Sequence, residues 1–281
     1  MSGFDRIAIG LDVDAFARAA FDIKLDKWQQ QALESTSQRL AIAASRQSGK
    51  SVIAALIALR TALYSRNQLV LILSPSLRQS SYMFSSKVVG AVHNLQDQDL
   101  LPAQIESITA TSISFNQGSR IISLPDSEST IRGYSGVSLL VADESARISQ
   151  ELWVAVRPML ATSHGRLVMV STPWLREGDF YKAMQADSGF ETYSIPATEV
   201  PRISPEFLIE EKKALGPFYE SEYMVEWLDN ADGIAMFRYE DIMAAGTTGK
   251  IPPLFDVNGN INIDEIDTAP KKNPYAGLMN R

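Results

Sequence analysis

The chain has 281 residues, no cysteine and 2 histidines, which excludes disulfides, thiolate zinc sites and a cysteine nucleophile and leaves too little histidine for a histidine-rich metal site. Its formal net charge of −7 argues against a histone-like or coat-type nucleic-acid binder, although net charge says little about one local basic face. The longest apolar run, Val52 to Leu59, is far short of a membrane span, and acids stand at the N-terminus where a signal peptide would be apolar, so the sequence reads as soluble, intracellular and without a membrane partner.

Residues 4–24 read as one amphipathic helical lead-in, with Phe16, Ala19, Ala20 and Ile23 on one side. Asp26 to Leu33, holding Trp28 and Gln29, follows. Leu40 to Ala44 is an apolar run, Ser45, Arg46, Gln47, Ser48, Gly49, Lys50 and Ser51 come next, and a helix-forming, almost wholly apolar stretch continues to Leu63. Strand, tight loop and helix in that order is the layout of a phosphate-binding P-loop. Gly49 lets the backbone fold close around a phosphate, and the new helix adds free N–H groups and a positive dipole end. Lys50 would reach the β- and γ-phosphates of ATP, and the Ser51 hydroxyl would ligate Mg2+. Ala44 stands where the usual pattern has its first glycine, so the flanking strand and helix carry the reading more than the tripeptide does. Beside such a loop, Trp28 and Gln29 have two readings: a helix with Trp28 in the core, or an adenine clamp in which an aromatic covers the base and the Gln29 amide meets its edge.

Leu69 to Ser76 reads as a buried strand ending in a turn, and Arg78 to Leu95 as a helix. Ile113 to Phe115 and Arg120 to Leu124 flank Asn-Gln-Gly-Ser, a hairpin signal. Ile131 to Gly136 is a glycine-containing loop. Ser138 to Ser145 runs through four apolar or small residues into Asp143 and Glu144, which puts both acids at the carboxyl end of a buried strand, the edge where open α/β sheets bind ligands. There Asp143 can hold magnesium through water, and Glu144 can orient or deprotonate an attacking water. Glu151 to Ala161 reads as a helix, and Gly165 to Pro173 as another buried strand, ending in Ser171, Thr172 and Pro173, whose hydroxyls would face the same edge and sense the γ-phosphate. Phe190 to Pro196 adds a strand. Ser204, Pro205 and Glu206 form a helix start, Gly216-Pro217 is a break, and Phe218 to Leu228 reads as a second helix of packing residues. From about Ala245 the composition turns to a loosely attached tail.

Several separated motifs together resemble the large terminase subunit of tailed bacteriophages and prophages: DVDAFARAAFDIKLDKWQ, SRQSGKS, IRGYSG, SLLVADES with STP beyond it, and FYESEYMVEWLD. SRQSGKS, with Arg-Gln before Ser-Gly-Lys-Ser and no first glycine, is the most specific of them. The resemblance implies an ATPase motor that drives double-stranded DNA into a procapsid, with ATP and Mg2+ as cofactors. It implies the portal ring and the small terminase subunit as partners, a homo-oligomeric ring on assembly, and action in the host cytoplasm. It places Gln29 in the adenine motif, Arg46, Lys50 and Ser51 in the P-loop, Asp143 and Glu144 as metal and catalytic acids, and Ser171, Thr172 and Pro173 in a coupling motif. Arg132 falls where the family can place an arginine finger. Complete members continue into a ribonuclease H-type nuclease, and this sequence stops about forty residues beyond the motor signature. Asp256, Asp264, Glu265 and Asp267 are therefore expected to be a solvated tail, with no nuclease activity. The expected fold is an α/β P-loop NTPase of the ASCE type, a mostly parallel central sheet flanked by helices, with the motor in residues 1–240 and a short irregular tail in 241–281. A helicase-like DNA-translocating ATPase and an inactive prophage remnant are the alternatives.

Overall fold

The computed structural model describes residues 3–124, 133–216 and 218–229. Eight strands form one sheet in the order β3-β4-β5-β2-β6-β7-β1-β8. They are β1 (Arg39–Ala44), β2 (Leu69–Leu73), β3 (Ile105–Ile108), β4 (Ser112–Phe115), β5 (Arg120–Ser123), β6 (Leu139–Asp143), β7 (Arg166–Ser171) and β8 (Glu191–Ile195). From β5 across to β8 every pairing is parallel, and β3, β4 and β5 form an antiparallel edge. The continuous apolar runs of β1, β2, β6 and β7 follow from this position, because a parallel strand is covered on both faces. Alternate residues separate cleanly. Leu40, Ile42, Val70, Ile72, Val141 and Val168 face one core, while Ala41, Leu71, Leu73, Leu140, Leu167 and Met169 face the other.

The first core is closed by helices α1 (Gly3–Leu11), α2 (Val13–Phe21), α3 (Lys27–Glu34) and α4 (Lys50–Tyr64), and by a long helical stretch between β2 and β3. Of the 15 residues of α4, Ile53 to Leu59 are all buried, which is why the sequence there is apolar on every face. The lead-in is two helices rather than one. Asp12 is extended, and its carboxylate accepts from the N–H groups of Asp14 and Ala15, capping α2 and ending α1. The stretch after β2 is helical throughout but changes pitch: α5 (Leu77–Met83), a π segment (Phe84–Val89) and α6 (Gly90–Asp97). Met83, Phe84, Val88, Ala91, Val92 and Leu95 reach the core along this stretch.

The second core lies under α7 (Gln150–Val156) and α8 (Gly178–Ala183). The helix expected to reach Ala161 tightens at Arg157–Leu160 into a 3₁₀ turn, where Pro158 supplies no N–H to an α-helical bond. Ser204 caps α9 (Pro205–Leu215) as expected, accepting from the Phe207 N–H at 3.2 Å. The last helix, α10 (Phe218–Glu222), is much shorter than the sequence suggests. Val225 turns left-handed at φ 64°, and Leu228 then bonds back to Trp174 and Arg176 in a parallel bridge with Leu175. Pro217, and residues 230–281 with Asp256, Asp264, Glu265 and Asp267 among them, lie outside the described residues.

Candidate active site

The registers bring the carboxyl ends of four strands to one edge: Ala43 pairs with Ser171, Asp143 with Val170, and Ala44 with Ile195. The loop from Ser45 to Gly49 leaves β1 at this edge. The Ser45 N–H extends the sheet by bonding to the Ile195 carbonyl at 3.0 Å, and the loop then folds on itself, with the Ser48 hydroxyl donating to the Ser45 carbonyl at 2.7 Å. Gln47, exposed at the loop's tip, and Gly49 both adopt left-handed backbone, with φ 58° and 92°. The left-handed backbone is what asks for glycine at 49, and a Cβ there would also stand 2.7 Å from the Gln29 amide nitrogen, which would have to shift. Gly49 is the N-cap of α4, so Lys50 and Ser51 occupy the first turn, whose N–H groups have no intrahelical carbonyl to meet. That is an anion-binding geometry.

Across the edge, Ser51 Oγ lies 3.2 and 3.1 Å from the two carboxylate oxygens of Asp143, the last residue of β6. The next residue, Glu144, is left-handed at φ 53°, a conformation that costs a non-glycine residue roughly 1–2 kcal/mol. This bend turns its carboxylate back over the edge. One oxygen lies 3.7 Å from Lys50 Nζ, and the other accepts from Ser171 Oγ at 3.4 Å. Thr172, buried, follows Ser171. Burial, and then the neighbouring Glu144 charge, push the Asp143 carboxyl up to about 6, against the opposing pull of Ser51, Lys50 and the Glu144 N–H. The site thus holds a buried acid beside a second acid with one lysine close by. Its hard hydroxyl and carboxylate oxygens, short of positive charge, fit a small divalent cation such as magnesium.

The sequence-derived residues do not all meet. Trp28 is buried in the first core, so the structure favours the plain core-helix reading over the clamp. Gln29 does sit beside the loop, but both ends of its amide are engaged by protein: its oxygen accepts from the Asp26 N–H at 2.9 Å, and its nitrogen donates to the Ser48 carbonyl at 3.1 Å. Next to it opens a cleft of about 670 Å³, flanked by Ile23, Leu25, Val52, Pro201 and Arg202. Arg46 points to α10. Its guanidinium makes two bonds to the buried Glu222, at 2.7 and 3.1 Å, and this partner raises its already high pKa. Glu222 also receives Arg147 at 3.3 Å, and Arg147 stacks 4.0 Å over the ring of Trp174, just beyond Ser171-Thr172-Pro173. The adjacent Ser221 donates to the Pro173 carbonyl at 2.7 Å. Arg132 lies outside the described residues.

Arg202, Glu222, Ser221 and Arg147 are what sequence reasoning missed. Glu222 and Ser221 stand inside the FYESEYMVEWLD signature, whose aromatic residues give it the pattern of a packing helix. Arg202 stands in a turn after β8 with no local pattern, and only the fold brings it to the loop.

One strand, β7, separates the loop-bearing β1 from the acid-bearing β6, and this order with the Lys50–Ser51–Asp143–Glu144 cluster defines a P-loop NTPase of the ASCE type. A profile of the family described as "Terminase large subunit, T4likevirus-type, N-terminal" matches residues 41–243. The chain belongs to this family and carries the N-terminal region of a terminase large subunit. Among solved structures it is similar to the large terminase ATPase domain of Thermus phage P74-26, with TM-score 0.62 and 18% identity over 75% of this chain and 97% of that one. The HK97 bacteriophage large terminase matches with TM-score 0.62 and 17% identity, over 78% of this chain and 55% of that one. The large terminase of a thermophilic bacteriophage in complex with ADP matches with TM-score 0.59 and 11% identity, over 73% of this chain and 54% of that one. At these identities the likeness establishes the fold, and the chain spans about half the length of the latter two proteins. No curated protein sequence matches.

Proposed function

We propose that the chain hydrolyses Mg-ATP at the cluster on the carboxyl edge and that hydrolysis drives double-stranded DNA into a procapsid. The observation that carries this reading is the convergence of Ser51 and Glu144 on Asp143 and Lys50, from a helix N-terminus on one side and a strand end on the other. The Ser45–Gly49 loop and the first turn of α4 would wrap the β- and γ-phosphates, with Lys50 supplying charge. Ser51 and Asp143 would hold magnesium, which would neutralise phosphate charge when bound. Glu144 would orient the attacking water and accept its proton, with Ser171 fixing its carboxylate. Catalysis then comes chiefly from positioning and charge, as is general for phosphoryl transfer.

The fine roles carried by the resemblance belong to the same proposal: Arg132 as a charge donor in trans, an assembled ring on the portal, and the small terminase subunit as partner. The motor is assigned to residues 1–240, with 241–281 as its tail. The test is ATP turnover measured with the chain alone, with linear duplex DNA, and with portal-bearing procapsids plus DNA. The proposal expects the rate to rise on assembly and DNA to become nuclease-protected in the procapsid. ATP turnover with no DNA protected would overturn the packaging role.

A further inference from the structure

The Ser48 carbonyl accepts two side-chain donors, Gln29 Nε2 at 3.1 Å and Arg202 Nη2 at 3.0 Å. Arg202 is itself anchored: its Nη1 donates to the Asp26 carboxylate at 2.8 Å. Asp26 also supplies the N–H that holds the far end of the Gln29 amide. Three separate parts of the chain are thus tied to one peptide group: the start of α3, the turn after β8 and the P-loop. A trans peptide is planar, with its C=O and N–H pointing in opposite directions. Fixing the Ser48 carbonyl toward Gln29 and Arg202 therefore fixes the Gly49 N–H away from them. Gly49 has no Cβ and sits at φ 92°, so nothing in its own side chain restrains that peptide from flipping.

We propose that Arg202 is a positioning residue for phosphate binding. Anchored on Asp26, it holds the Ser48–Gly49 peptide so that the Gly49 N–H donates into the phosphate-binding loop. The inference rests on the nucleotide-site reading above. It also gives Gln29 work that needs no contact with a base. Arg202 acts through the backbone rather than on the base, although it borders the 670 Å³ cleft. The guanidinium fork matters, because one lysine nitrogen cannot reproduce the two-armed bridge between Asp26 and Ser48.

The test is titration calorimetry of the whole chain in magnesium buffer with two probes, ADP and inorganic pyrophosphate, which carries the phosphates and no base. Arg202→Ala should weaken both by the same factor, roughly tenfold for a lost charged hydrogen bond. Arg202→Lys should recover only part of it. Thermal unfolding without ligand separates this from a merely structural role, since a destabilised but competent loop would shift the midpoint and leave both affinities alone. Loss of ADP affinity with pyrophosphate unchanged would overturn the proposal and make Arg202 a base or ribose contact. Unchanged affinity for both, while Lys50→Ala abolishes them, would overturn the role of Arg202 alone. Failure of the unaltered chain to bind either probe would instead sink the nucleotide site and this proposal with it.

Discussion

At the proposed site, Asp143 would set chemistry against stability. Its carboxyl titrates near 6 in the folded chain against an ordinary 3.8, so the folded state keeps a proton that the unfolded chain has already released. A raised carboxylate pKa contributes stability at low pH that is lost as pH rises from about 4 through 6. By pH 7.5 the charged, buried Asp143 costs on the order of 2–3 kcal/mol. Asp143→Asn is neutral at every pH. It is therefore expected to raise the thermal midpoint by several degrees at pH 7.5 in the presence of a chelator, to change it little near pH 4, and to lose Mg2+-dependent turnover. Differential scanning calorimetry at the two pH values checks the sign. Glu144 and Gly49 put left-handed backbone at two points of the same proposed site.

At the scale of elements, α4 and α10 bear differently on the site. The helix α4 starts at the phosphate loop and is held by packing. Leu56 is fully buried, and Leu56→Ala should cost about 2–5 kcal/mol in denaturant unfolding. The five-residue α10 is too short to stand on its own propensity; Tyr219 packs it against Leu208 and Tyr223, and polar ties add to that, Ser221 to the Pro173 carbonyl and Glu222 to Arg46 and Arg147. Glu222→Ala should cost about 2 kcal/mol from its charged hydrogen bonds, and should slow ATP turnover more than Leu56→Ala does at equal residual folding, because it frees a P-loop arginine. Equal turnover in the two variants would show that α10 only packs.

These elements also show what a sequence discloses. The strands β1, β2, β6 and β7 and the helix α4 were legible because burial on all sides leaves an unbroken apolar run, and Asp143 and Glu144 were legible because they end such a run. The edge strand β3 was not, since three of its four residues are exposed and its pairing comes from the neighbouring hairpin. The break at Asp12 carried a readable cap signal, yet amphipathic spacing on both sides concealed it. The core position of Trp28 and the approach of Arg202 to Ser48 are set by long-range packing, which no local window contains.

At the scale of the whole molecule, the proposed packaging motor would work as an assembly, and two predictions belong there. Arg132→Ala should leave ADP binding by the isolated chain unchanged and remove most of the portal-stimulated rate, by up to about 10³-fold if it donates charge in trans. Mixing it with Glu144→Gln subunits should restore part of that rate, through interfaces where an intact acid faces an intact arginine. The central claim, that Lys50, Ser51, Asp143 and Glu144 form one hydrolytic site, is tested most directly by single-turnover ATP hydrolysis in Glu144→Gln, with ATP affinity measured on the same sample. The amide keeps the shape of the side chain and loses its basicity, so affinity should stay within a few-fold while hydrolysis slows by roughly 10²–10⁴-fold. Hydrolysis at the unaltered rate would contradict the account and move the catalytic base away from the end of β6.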